Sequence, residues 1–389
     1  MERKFLFGNI YKTVFIFLIL IGIITLIAGS IVVKIDPSRI WANVLLNNML
    51  FLSIALFGTF FIVIHTLGDA AWHLSIQRVP EAMSTFIPVA ALFMFVLLAG
   101  AHDLYHWTDT RHIDELIAHK KPYLNMPFFI LRMIIYFAGW TILSFLIRKN
   151  SLKLDEDADL KHLRKIQLLS GAFIVFFAIT SSTSAWDWIM SIDTHWFSTL
   201  FGWYVFSSLF VAGVSVVILI VLFLKKRGYM EHVNNEHMHD LGKYLFAFSI
   251  FWAYLWFSQF MLIWYGNIPE ETTYFVHRLH EYRLLFFINL GVNFFFPLLV
   301  LMTRGSKRIY FTLIVASVVS IAGHWLDFYL MIMPGVLGKK FIINWFEIGM
   351  TLGYAGLFLY VTFWSLSKAS LLPKNHPYLQ ETFDYDNIG

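Results

Sequence analysis

Apolar residues arrive in runs of about 20, the length a helix needs to cross a hydrocarbon layer roughly 30 Å thick. Ten such runs lie along the chain, at residues 13–33, 45–68, 85–104, 128–147, 167–190, 199–224, 244–265, 282–302, 309–331 and 341–366. The pattern predicts an all-α integral membrane protein with about ten transmembrane helices. The connections are short, and none is long enough for a soluble domain. The longest, 107–127 and 148–166, each have room for a short surface helix. In the second, Leu152, Leu160, Leu163 and Ile166 recur among charges, which predicts an amphipathic segment lying on the membrane. The first run follows a short basic start and lacks a small-residue cleavage site, so it is expected to remain as the first span.

Composition sharpens this picture. Of 389 residues, 58% are hydrophobic and only 14% charged, and the mean hydropathy is +0.67. An average soluble domain is about half apolar and a quarter charged, so a polytopic membrane protein is the class that fits. The net charge of +4 is too small to imply nucleic acid. Lysine and arginine instead alternate between connections, with a roughly two-to-one excess on the side that holds both termini. That bias predicts two cytoplasmic ends, and ten helices agree in parity. Cysteine is absent, which excludes thiolate-bound iron–sulfur clusters, disulfides and covalent c-type haem.

The candidate chemistry lies in ionisable residues set into or beside oily runs, where a charge is costly and usually functional. His65, Asp69 and His73 are spaced i, i+4, i+8, so on one helix they would stack as a ladder able to pass protons. That ladder would line a cytoplasmic half-channel; the plainer reading has Asp69 and His73 cap the helix end. His102 and His106 would share a face with Asp103 nearby, either lining a quinone pocket or solvating a helix end. Asp187 sits between Trp186 and Trp188. Aromatic anchors account for the tryptophans but not for the carboxylate. Asp193 and His195 extend the polar line outward. His324 and Asp327 are i, i+3 neighbours, and Glu347 falls about two turns into the last run, after Asn344. Glu281 and Arg283 open the eighth run and serve either a site or lipid headgroups. Gln259, Asn289 and Asn293 are neutral groups that often bridge helices. By the predicted topology all these except His65, Asp69 and His73 lie toward the outer side. Haem would need facing imidazoles at matched depth, and no repeated His pair on one helix provides them. His232, His237 and His239 read better as a solvated loop than as a metal site.

A short echo links Ser184-Ala185-Trp186-Asp187-Trp188 with Gly323-His324-Trp325-Leu326-Asp327 at a four-helix offset. It suggests two parallel four-helix units, spans 2–5 (about 45–190) and 6–9 (about 199–331), flanked by spans 1 and 10.

Ten spans, no cysteine, both ends inside and the Trp186-Asp187-Trp188 segment followed by Ser191-Ile192-Asp193-Thr194-His195-Trp196 resemble the NrfD-like membrane subunits, relatives of the polysulfide reductase anchor. Over the whole chain, the pattern is most similar to the shorter, ActF-type of the two such subunits in bacterial alternative complex III. The resemblance implies two four-helix bundles flanked by two helices in the bacterial inner membrane, with no cofactor of the chain's own. It implies a multihaem cytochrome c subunit, an iron–sulfur subunit, a paralogous quinol-binding membrane subunit and small membrane anchors as partners. Haem c and iron–sulfur clusters would belong to those partners. Quinol would be oxidised and electrons passed to a cytochrome c or a terminal oxidase. Asp187, His195 and Asp327 are the residues that fit family positions. Two rivals remain: a proton-coupled secondary transporter, which should show paired broken helices, and a structural subunit whose polar residues bridge helices.

Overall fold

The computed structural model describes residues 4–109, 115–338 and 343–385. It is helical, with no strand among those residues. Ten helices are long and apolar enough to cross a membrane: α1 (Asn9–Val32), α2 (Pro37–Leu67), α3 (Arg78–Leu104), α4 (Met126–Asp157), α5 (Leu160–Ile192), α6 (Phe201–Lys226), α7 (Asn235–Gly266), α8 (Arg283–Val300), α9 (Tyr310–Leu337) and α10 (Trp345–Leu366). Each overlaps one of the ten predicted runs. Positions 341 and 342 of the tenth run lie outside the described residues, as do Arg3, Arg111, Lys339 and Lys340 of the charge pattern.

Local chemistry sets the helix starts. Asp36 accepts from Ser38 N at 3.0 Å just before Pro37, and Asn125 accepts from Phe128 N at 3.0 Å. Asp159, Asn234 and Asn344 cap α5, α7 and α10 in the same way. Each satisfies backbone N–H groups that an uncapped helix leaves bare.

One expectation fails here. Residues 151–166 form no surface helix: α4 continues to Asp157, Ala158 turns in the left-handed region (φ 55°), and Asp159 caps α5 at once. The charges of this stretch lie on two long helix ends joined by a tight turn. The 107–127 connection does hold a short helix, Glu115–Lys120, and a further helix, Pro269–His280, precedes α8.

α2 and α6 are the most enclosed helices. α2 packs on α3, α5, α6, α9 and α10; α6 packs on α5, α7 and α9. α3 and α5 each pack on α4, and α7 and α9 each pack on α8. α1 lies against α10. That last contact depends on glycine. A Cβ on Gly22 would stand 2.5 Å from the Gly353 backbone, and one on Gly349 would stand 2.1 Å from Thr25 Oγ1. Small residues let two backbones meet where apolar association alone gives little drive.

Candidate functional site

Asp187, Asp327 and Glu347 are all fully buried, and the first two define the contrast at the polar interior. Asp187 ends the apolar part of α5 and meets Arg132 of α4 in a bidentate pair, Nε to Oδ2 at 2.7 Å and Nη2 to Oδ1 at 2.9 Å. Tyr136 OH donates to Oδ2 at 2.9 Å. Arg132 Nη1 donates to Tyr123 O at 3.0 Å, and its guanidinium carbon sits 3.9 Å from the Tyr123 ring centroid. Burial, and then the Asp187 charge, push the Tyr123 phenol up to about 12, so it stays protonated. The planar guanidinium fork saturates both carboxylate oxygens. Asp187 is therefore locked against its counter-ion.

Asp327 of α9 is buried as completely, yet among the described residues no arginine or lysine pairs with it. Oδ1 accepts from Asn289 Nδ2 at 2.8 Å and from the Tyr204 hydroxyl; Oδ2 accepts from Ser208 Oγ at 2.7 Å and Trp252 Nε1 at 2.9 Å. These four donors come from α6, α7 and α8. Asn293 donates to Asn289 Oδ1 at 2.7 Å, and it stands in a π-turn, Gly291–Phe295, that widens α8 beside the site. His324 lies with Nδ1 3.8 Å from Asp327 Oδ2, and neither ring nitrogen has a hydrogen-bond partner. Ser317, Ser320, His324 and Asp327 share one buried face of α9, and both serine hydroxyls are also unpartnered. Buried polar groups seldom remain so, which marks this face as unusual.

A small cavity of about 20 Å³, room for roughly one water, lies beside Asp327, lined by Tyr204, Gln259, Asn289 and Arg278 among aromatic side chains. Arg278 comes from the helix before α8. Nε donates to Leu330 O at 2.8 Å, and Nη2 donates to Met331 O at 3.1 Å and Asp193 Oδ2 at 3.2 Å. It thereby ties the loop after α5 to the middle of α9. Tyr274, over whose ring the guanidinium stacks, is raised to about 12 by burial against the pull of Arg278.

The remaining expectations divide. Glu347 stands in the first turn of α10, not two turns in. It caps the helix with Asn344 and forms a bidentate pair with Arg39, both contacts at 2.8 Å. The His65–Asp69–His73 ladder does not exist as one helix face. α2 ends at Leu67, Asp69 is exposed with φ 47°, and His73 belongs to a separate turn, Trp72–Ser75. The chain folds back, however, so the His65 and His73 rings still stack with centroids 5.0 Å apart. They line a small cavity of about 20 Å³ with Asp69, Gln77, Asp155 and His376. His102 and His106 share no helix face either, because α3 stops at Leu104; both are exposed, as is Asp103. His195, Glu281 and Arg283 are also exposed and stand apart from Asp327.

The His65 group and the Asp327 group both reach α7. Tyr244 of α7 bonds His65 Nε2 at 3.2 Å, and Trp252 on the same helix bonds Asp327. The eight-position step from one to the other spans roughly 12 Å of helix. Phe57, Phe210 and Phe248 stack across that interval.

Sequence reading missed the cations. Arg39, Arg132 and Arg278 each hold a carboxylate, and Arg78 joins Glu81, Ser151 and Asp155 in a buried network. The available signal was an arginine inside or at the edge of an apolar run, since such a charge needs a partner. No protein-family model matches the chain, and no curated protein matches it.

Proposed function

We propose that this chain crosses the bacterial inner membrane ten times, with both termini cytoplasmic, as an NrfD-like subunit of a quinol-oxidising electron-transfer complex. Its part is to supply a quinone-pocket wall and a proton-accepting group at Asp327. Redox groups, haem c and iron–sulfur clusters, sit in partner subunits. The Asp327 centre carries this reading. A carboxylate held by neutral donors has no counter-ion to strand if a proton arrives, and unpartnered His324 stands beside it. The small adjoining cavity, with aromatic walls, amides and phenols, has room for about one water, which suits a proton path between Asp327 and a quinone pocket. Two four-helix units, α2–α5 and α6–α9, flanked by α1 and α10, are supported by the rings of neighbouring contacts in each set.

The test is Asp327→Asn in the assembled complex. Quinol oxidation or proton release should fall by about 100-fold, the usual size of a lost proton-transfer group. Unchanged rate and proton stoichiometry would remove Asp327 from the mechanism. A scaffolding role has specific support in the other unit, where Arg132 neutralises Asp187, and at α10, where Arg39 neutralises Glu347. A coupled transporter has less. α8 is interrupted by its π-turn, but α4, its counterpart at the four-helix offset, is continuous.

A further inference from the structure

A second polar region lies far from both carboxylate centres. A crevice of about 600 Å³ runs between α3, α4 and the end of α10. Its wall on α4 changes character along the helix. Thr141, Ser144 and Phe145 come first, then Arg148, Lys149 and Lys153, with Lys368 facing them from beyond α10. The hydroxyls near the first end are already engaged, Ser144 with Thr59 at 2.7 Å and Thr85 with Ala82 O at 2.6 Å. That end therefore presents mainly carbon. The other end gathers four cations against one acid, Glu156. Arg148 Nη2 donates to Ser365 O at 3.0 Å, while its Nε is buried without a hydrogen-bond partner. Exposed Trp364 lies under Lys368, 5.0 Å from nitrogen to ring centroid, the amphipathic ring expected at a headgroup boundary.

We propose that this crevice binds one anionic phospholipid, its phosphate among Arg148, Lys149, Lys153 and Lys368 and an acyl chain along α4 toward Phe145. The inference rests on the membrane-spanning reading, and it assigns a ligand that quinol chemistry does not require. Basic pockets between transmembrane helices recognise anionic headgroups in this manner. A quinone has no charge to match four cations. Free phosphate would leave unused the apolar part, roughly 10 Å of α4 between Thr141 and Arg148.

Native mass spectrometry of the purified full chain, with phosphatidylglycerol or phosphatidylcholine of identical chains, tests the proposal. One phosphatidylglycerol should be retained with about tenfold or greater preference. Replacing Lys149, Lys153 and Lys368 with Gln should abolish that preference, while Gln at Lys161, Arg164 and Lys165 on α5, an equal loss of charge, should leave it intact. Equal binding of the two lipids, or equal loss in both triple variants, would overturn the site. Displacement by millimolar inorganic phosphate alone would overturn the lipid as its occupant. Resistance of the chain to alkaline extraction from membranes checks the membrane reading separately, so either can fail alone.

Discussion

Asp187 and Asp327 are both fully buried, both lie in the C-terminal half of their helix, and both belong to the same short sequence echo, yet their partners differ in kind. On α4, Arg132 and Tyr136, four residues apart, both bond Asp187. On α8, the counterpart at the four-helix offset, Asn289 and Asn293 have the same spacing and form a relay to Asp327. α4 thus places a cation where α8 places an amide. An ion pair fixes a carboxylate in its charged form, because protonating it would strand the guanidinium. Neutral donors hold Asp327 without any counter-ion that a proton would strand. The contrast points to a scaffolding role for the first carboxylate and a working role for the second.

The largest effect should come from breaking the pair. Arg132→Met leaves Asp187 buried without a counter-ion, which typically costs about 3–5 kcal/mol. The Tm of the detergent-purified protein should fall steeply, and adding Asp187→Leu should recover most of it. If Arg132→Met melts like the parent, the pair is not what holds α4 to α5. Next in size is a crossed comparison of the two amide variants. Asp187→Asn strands Arg132 and should cost about as much as losing the arginine. Asp327→Asn turns an amide N–H₂ toward hydroxyl and amide donors, a mismatch of about 1–3 kcal/mol. Stability should therefore suffer more at position 187 and quinol turnover more at position 327. Equal losses of both quantities at both positions would erase the distinction.

Much of this fold was legible in the pattern of apolar runs, because ~20-residue periodicity and capping residues such as Asp36, Asn125 and Asn344 act locally. Asp187 and Asp327 were legible as costly charges in apolar surroundings. Their opposite characters were not, since Arg132 lies 55 residues from Asp187 and Tyr204 lies 123 from Asp327. No local rule ties such positions together. The inner ladder misled for another reason: i, i+4, i+8 spacing implies one face only while the helix persists, and Gly68 with left-handed Asp69 ends it first. The 151–166 stretch misled similarly, its charges suiting two helix ends as well as one surface helix.

A smaller effect should sharpen the comparison from the α8–α9 side. A Cβ at Gly323 would stand 2.2 Å from Asn293 Oδ1 and 2.7 Å from Val292 Cγ1. Gly323→Ala must therefore push the π-turn away from α9 and disturb the relay from Asn293 through Asn289 to Asp327. Overpacking of this kind costs about 1–3 kcal/mol. Turnover should drop while the Tm falls less than in Arg132→Met. Full activity in Gly323→Ala would mean that the relay geometry is not needed.

The smallest effect concerns the pole away from both carboxylates, where residues 371–385 close over His65 and His73. Lys374 N donates to Asp155 Oδ1 at 2.9 Å, Thr382 Oγ1 to Trp72 O at 3.0 Å, and Asn234 Nδ2 to Tyr385 O at 2.8 Å. Burial lowers His376 from 6.5 to about 4, with Arg78 adding to the shift. His73 is also lowered, by burial first and then by His65. Both imidazoles are therefore neutral when the tail is docked and would take up protons near 6.5 if it lifted. The released state binds more protons, so docking is at full strength above pH 6.5 and weakens as pH falls toward about 4. Below that value His376 contributes no further loss. Hydrogen exchange of 371–385, corrected for intrinsic rates and compared with α9, should quicken between neutral pH and about pH 5. His376→Asn should flatten that dependence without changing exchange in α9. If tail protection is the same at both pH values, the buried imidazoles do not govern its docking.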